Sequence, residues 1–429
     1  MLVRRLLVPA LAALLATLVA PAPPTTAATG SGLSSSIQHV VVLMQENRSF
    51  DTYFGKLHFQ GQPKVEAEPL NASNPNPLDP NGKPIRAFHK TSPCEVADLD
   101  HSWNGAHQEW DNGKMDGFTA ASTVSEDPTG SRTMGYYDTR DLPFYYALYS
   151  TFATNDRYFS SVLSQTFPNR FYLLAGTSFG HIRNDLPPPD GFTQPTIFNL
   201  LDDAGVSWAI YFSQIAFAYE FSYVREHSAG HVFPIDQYYA DAAAGTLPQV
   251  SFIDPIFVAQ ANVETDEHPA SNVQVGEKFV SDVTNALFAS PDWSSSAMFL
   301  TYDENGGFYD HVAPPSAPVP DAIPPMFEPG DTPGAFDRYG FRVPVAVISP
   351  YTRPHYVSHV VEDHTSILRF IETRFGLPSL TNRDANANPM LEYFDFSHPS
   401  FATPPTLPAA PIDPAGVEQC MSAPPPGGF

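Results

Sequence analysis

The chain has 429 residues, 42% hydrophobic and 13% aromatic with only 16% charged, which is ample for a large core and excludes a disordered or fibrous protein. Asp and Glu number 46 against 22 Lys and Arg, and the resulting net charge of −24 would repel a nucleic-acid backbone, which excludes that partner class. Proline reaches 45 residues, and because it is kept out of helix and strand interiors it implies many long loops.

The first element is an export signal. Arg4 and Arg5 precede an apolar run over residues 6–20 and a small-residue stretch that closes on Ala27 and Ala28. Residues 1–28 therefore read as a signal peptide, and the run is too short and too broken by Pro9 for a membrane anchor. The mature chain is expected outside the cytoplasm, secreted or held in the cell envelope. In that oxidising setting the only two cysteines, Cys94 and Cys420, are expected to pair. Residues 29–398 read as one catalytic domain and residues 399–429 as a Pro-rich, extended tail.

Five apolar segments read as buried strands: residues 37–44, 207–212, 249–253, 297–302 and 343–348. With helical patterns between them they predict an α/β fold whose central, mainly parallel sheet is flanked by helices on both faces. Pro168 suits the start of a buried helix running through residues 171–175. A second, amphipathic helix opens at Asp363 and stops at Gly376. Residues 60–96 and 312–335 are Pro-rich loops, the kind that form lids and site walls.

Chemistry gathers where two of these strands end. The first runs into Glu46 and Asn47, which offer hard oxygen ligands at the edge of a sheet where ligands bind in open α/β folds. The fourth runs into Asp303 and Glu304, adjacent carboxylates that repel one another unless a cation compensates, followed by Gly306 and Gly307 for a sharp turn. Thr166 sits near a helix start, where backbone N–H groups and the helix dipole favour a phosphate, and Arg170 lies close by in sequence. A weak hydroxyl nucleophile of this kind can be activated by a divalent metal. His101, His107, His268, His311 and His364 are the histidines available to contact phosphate oxygens or protonate a leaving alkoxide.

The segments 46–55, 100–103, 112–118, 166–170 and 301–312 together resemble the bacterial phosphoesterase family of non-haemolytic-type phospholipases C and secreted acid phosphatases. The resemblance spans residues 37–396 in order. It implies an alkaline-phosphatase-like fold and one or more divalent metal ions held by Glu46, Asn47, Asp303 and Glu304. Thr166 would be the nucleophile, and His101 and His268 are the histidines that match best. Where some members carry Ser and a second Asp, this chain has Thr166 and Glu304, which keep the functional atoms. The implied substrates are phospholipids or small phosphate esters, and phospholipid hydrolysis allows transient contact with a membrane surface. Aromatic residues between the first acidic corner and Thr166, Trp103 foremost, beside Asp116, are expected to form a cage for a choline head group, with His311 as a further substrate contact.

Three other readings compete. A sulfatase would need Cys or Ser at position 166 for oxidation to an aldehyde, and the methyl of threonine blocks that chemistry. A phosphomonoesterase would use the same nucleophile and metal, with a pocket of different width. A secreted binding protein could keep the fold without turnover, since fold alone never proves activity.

Overall fold

The computed structural model describes residues 32–423, so the expected signal peptide lies outside the described residues. Its core is one eight-stranded sheet. In chain order the strands are β1 His39–Gln45, β2 Ala153–Asn155, β3 Trp208–Phe212, β4 Val232–Pro234, β5 Val250–Asp254, β6 Ser296–Tyr302, β7 Val345–Ile348 and β8 Val357–Ser358. Across the sheet they run β8-β2-β7-β6-β1-β5-β3-β4. Every neighbouring pair is parallel except the two that involve β7, which lies antiparallel to both β6 and β2.

The mainly parallel α/β architecture expected from the sequence is therefore present. The segment around residues 343–348 departs from it in direction, because the chain leaves the carboxyl end of β6, loops over that same edge and returns from it as β7. Val40, Val41, Val42 and Leu43 are all buried, although alternate residues of a strand point to opposite faces, so both faces of the sheet are covered. The helices used below are α1 Phe50–Phe54, α2 Trp103–Trp110, α3 Thr166–Ala175, α4 Val273–Ala289, α5 His364–Phe375 and α6 Pro414–Cys420. Helix α5 packs on α3. It opens with a capping box on Asp363 and ends at Gly376 with φ 69°, as its sequence predicts.

The tail differs from the extended segment expected. Pro414 supplies the fixed φ of a first helical position, Asp413 caps the backbone N–H of Ala415, and α6 forms. Cys420 at its end is bonded to Cys94, with Cα atoms 5.8 Å apart, which fastens the tail to the domain. Among the described residues no helix is long and apolar enough to cross a membrane.

Candidate active site

The register of the sheet builds the site. Gln45 on β1 lies opposite Tyr302 on β6, so Glu46 and Asp303 leave the sheet side by side. Both turns are then locked together: the backbone N–H of Asn47 donates to Asp303 Oδ1 at 3.2 Å, and that of Arg48 donates to the Glu304 carbonyl at 3.0 Å. Asn47 adopts the left-handed conformation at φ 56° and Gly306 at φ 60°. A Cβ on Gly306 would stand 2.5 Å from the Asn47 carbonyl oxygen, so glycine is required for the two turns to approach.

Glu46, Asp303 and Glu304 are buried. Arg170, from α3, reaches Glu46 at 2.9 Å and Asp303 at 3.2 Å. One guanidinium does not compensate the whole set. Burial outweighs Arg170 and pushes Glu46 and Asp303 above the usual carboxylate range, and it takes Glu304 to about 8. Asp266, whose carbonyl accepts the Glu46 N–H at 2.8 Å, is raised by burial as well.

A polar cavity of about 380 Å³ opens on this corner, lined by Glu46, Asp98, Asp100, His101, Ser102, Gln165, Thr166, Asn184 and His268, with Leu99 and Phe257 its apolar walls. Thr166 is the first residue of α3, so the helix starts two residues before Pro168 rather than at it, and the Thr166 side chain is buried. Asn184 fixes the helix start by accepting the Phe167 N–H at 2.9 Å. The cavity thus holds a hydroxyl at the positive end of a ten-residue helix, against a cluster of carboxylates.

The two histidines in the cavity have opposite electrostatics. His101 bonds the Leu99 carbonyl through Nδ1 at 2.8 Å, while its Nε2 lies 3.3 Å from the Asn47 amide nitrogen and 4.0 Å from Glu304. Burial opposes its charge, but Glu304 and Asp98 raise it to about 9. A neutral Nε2 accepts from that amide nitrogen, whereas a protonated one calls for the amide turned over. Burial lowers His268 to about 4, against the smaller opposing pull of Asp98. Its Nδ1 meets the Pro269 carbonyl at 2.5 Å, which leaves Nε2 as a neutral acceptor.

The structure thus brings Glu46, Asn47, Asp303, Glu304, Arg170, Thr166, His101 and His268 into one place. It sets three expected substrate contacts elsewhere. Trp103 turns from this cavity into a second one, shared with His107 and Trp110, where its indole N–H donates to the Thr332 carbonyl at 2.8 Å. Asp116 is half-buried in a turn with Asp111 and Lys114. His311 is held by Asp51 at 2.6 Å and Glu66 at 3.3 Å in a separate ionic cluster. The choline cage built on Trp103 and Asp116 is therefore not formed, and Tyr145, Tyr146, Tyr149 and Phe118 are core packing. His364 donates from Nε2 to the Asp303 carbonyl at 2.7 Å, beneath the site.

Asp98, Gln165 and Asn184 join the site although sequence reasoning did not single them out. Asp266 and Glu267, just before His268, suggest a raised charge on that histidine, but burial lowers it instead. Asp98, His101 and His268 also place three ligand atoms within 4.8 Å of one another.

The donor set has the chemistry of a divalent-cation site, although among the described residues the Glu46, Asp303 and Glu304 carboxylates do not draw together within 4.8 Å as Asp98, His101 and His268 do. Glu46 Oε1, Asn47 Oδ1, Glu304 Oε1 and Asp266 Oδ2 are buried and have no hydrogen-bond partner among the described residues. Glu46 Oε1 is near Arg170 but is not aligned with it as a hydrogen bond. Unpartnered buried oxygens are costly, and four at one corner of hard-oxygen chemistry are what a cation would satisfy.

Site and frame together define an enzyme that works on phosphoric esters, and comparison with known proteins agrees. The Phosphoesterase family model matches residues 37–378, and the chain belongs to that family. Phospholipase C B of Mycobacterium tuberculosis is 34% identical over 433 residues, covering 88% of this chain and 81% of its own. Phospholipase C A of the same organism is 35% identical, covering 88% and 80%. Non-specific phospholipase C1 of Arabidopsis thaliana is 35% identical, covering 84% and 72%. The chain is a phosphoric ester hydrolase. Among solved structures, a protein of the alkaline phosphatase superfamily from Vibrio parahaemolyticus matches at 10% identity and TM-score 0.39, over 82% of this chain and 70% of that one.

Proposed function

We propose that the protein is an exported phospholipase C that cleaves a phospholipid head-group phosphodiester through a phospho-threonine on Thr166. The observation that carries this reading is the cavity in which the helix-start hydroxyl of Thr166, two histidines and the Glu46 carboxylate face one another. The phospholipase C relatives support the diester as substrate.

In this mechanism Thr166 Oγ1 attacks phosphorus and displaces the diacylglycerol alkoxide, and water then attacks the phospho-threonine to release the phosphorylated head group. His101, which Glu304 and Asp98 bias toward the charged form, binds a phosphate oxygen through Nε2 in place of the Asn47 amide, whose Oδ1 is left for the metal. His268, neutral and with Nε2 toward the cavity, accepts the Thr166 proton and returns it to the leaving alkoxide, then repeats the transfer with water. Glu46, Asn47, Asp303 and Glu304 would hold the divalent metal, which when bound lowers the pKa of a nearby hydroxyl and polarises a phosphoryl oxygen. Arg170 holds Glu46 and Asp303 in position and favours their charged forms against the burial that opposes them.

The deciding experiment assays purified mature protein on phosphatidylcholine and on an aryl phosphate in parallel, with metal analysis of the same sample. Faster release of phosphocholine supports the phospholipase reading. Turnover of the aryl phosphate alone would instead make the protein an acid phosphatase.

A further inference from the structure

We infer that the mouth of the active-site cavity is a docking surface for a zwitterionic lipid–water interface. This inference rests on the phospholipase reading and adds to it how the substrate is reached. The cavity is lined almost wholly by polar and charged side chains, so it suits a phosphorylated head group and gives no lodging to acyl chains. Those chains must stay outside, in the lipid, while the scissile bond is inside.

Apolar side chains stand where that requires them. The parallel strands all end on one edge of the sheet, and the loops after β3 and β5 flank the site there. Ile215 follows β3, and Val258 and Val263 belong to the loop after β5; all three are exposed. Gln214 bonds both the N–H and the carbonyl of Val258, at 3.0 and 2.7 Å, which joins the two loops. Phe257, beside Val258, is a wall of the cavity. Asn262 donates to the Val417 carbonyl of α6 at 2.8 Å, and the disulfide holds that helix, so Met421, 77% exposed, extends the same rim.

A second group of apolar side chains stands near the Asn184 wall of the cavity. Leu186, 75% exposed, is two residues from the cavity-lining Asn184. The loop of exposed Ile323, Met326 and Phe327 is fastened to that segment by the Met326 N–H donating to the Gly180 carbonyl at 2.8 Å. Scattered surface hydrophobics are ordinary, whereas apolar residues from five separate segments near one polar cavity are the arrangement of an interaction face.

Charge selects the kind of lipid. Asp185, Glu328 and Asp331 flank Leu186 and Met326, and the nearby Arg183 is engaged by Asp331 at 2.6 Å. With a net charge of −24, the protein would be repelled by an anionic bilayer and admitted by a zwitterionic one.

The test compares wild type with the triple variant Leu186→Ser, Val258→Ser, Met421→Ser by flotation with phosphatidylcholine vesicles and by rates on those vesicles and on a water-soluble aryl phosphocholine. The inference predicts that vesicle binding and vesicle hydrolysis fall by about 10-fold or more, while the soluble diester is turned over within about 2-fold of wild type. Phosphatidylglycerol vesicles should bind neither protein. Equal flotation and equal vesicle rates for the two proteins would overturn the docking surface. If wild type hydrolyses neither phosphocholine diester, the phospholipase reading fails instead, and flotation still decides whether the rim binds lipid.

Discussion

Replacing Arg342 by Met should destabilise the fold in a pH-dependent way. Arg342 is fully buried and holds Asp51 at 2.9 Å and Asp310 at 2.9 Å, joining the helix after β1 to the loop after β6. In the wild type, burial opposes ionisation of Asp51, yet Arg342 and His311 keep its carboxyl below the usual range, whereas burial prevails over Arg342 at Asp310 and raises it. Methionine fills a similar volume and leaves two buried carboxylates without their cation, a loss of about 3–5 kcal/mol. For a domain of this size the entropy of unfolding converts that to a fall in Tm of roughly 4–6 °C. Without the guanidinium the Asp51 carboxyl climbs out of its lowered range and that of Asp310 rises further, so both retain protons that the unfolded chain has released. The native state then binds more protons than the unfolded one, so stability falls as pH rises through the raised pKa values, by up to about 1.4 kcal/mol per pH unit for each group. Calorimetry or circular-dichroism melts at pH 5 and pH 8 should show the variant nearer to wild type at pH 5. A drop in Tm below about 1 °C, or a deficit larger at pH 5, would refute the reasoning.

Gly306→Ala should cost roughly 1–3 kcal/mol in chemical denaturation and lower activity more than stability, because the new methyl forces Asn47 away from Asp303. Removing the disulfide in Cys94→Ser should cost about 2–5 kcal/mol, with protease cleavage near α6 as the first sign of opening. Chelation should abolish activity and Asp303→Asn should lower bound metal measured by elemental analysis; full activity in metal-free protein would dispose of the metal centre.

The strands that carry the site were readable because a parallel strand buried on both faces is a continuous apolar run, and the first polar residues after it must leave the sheet. Glu46 and Asp303 stood out for that reason. That they meet depends on the order of strands, which places β1 beside β6 although about 250 residues separate them, and no local pattern reports it. The short strands β2, β4 and β8 bury too few residues to show a period. Asn184 and Asp98 reach the cavity from irregular loops, where only tertiary packing decides direction. Trp103 and Asp116 lie outside the lining of the cavity for a related reason. Nearness in sequence to His101 says nothing of orientation, and the Trp103 ring lines a second cavity instead.

The account stands or falls on the hydroxyl of Thr166. The most direct measurement is kcat for Thr166→Ala beside Thr166→Ser on the same phosphodiester, with far-UV spectra to confirm folding. Loss of the helix-start hydroxyl costs at most about 2 kcal/mol of stability. Loss of the nucleophile should reduce kcat by at least about 1,000-fold in the alanine variant, while serine keeps measurable turnover and becomes phosphorylated in acid-quenched samples. An alanine variant that folds and retains a tenth of the wild-type rate would contradict the assignment.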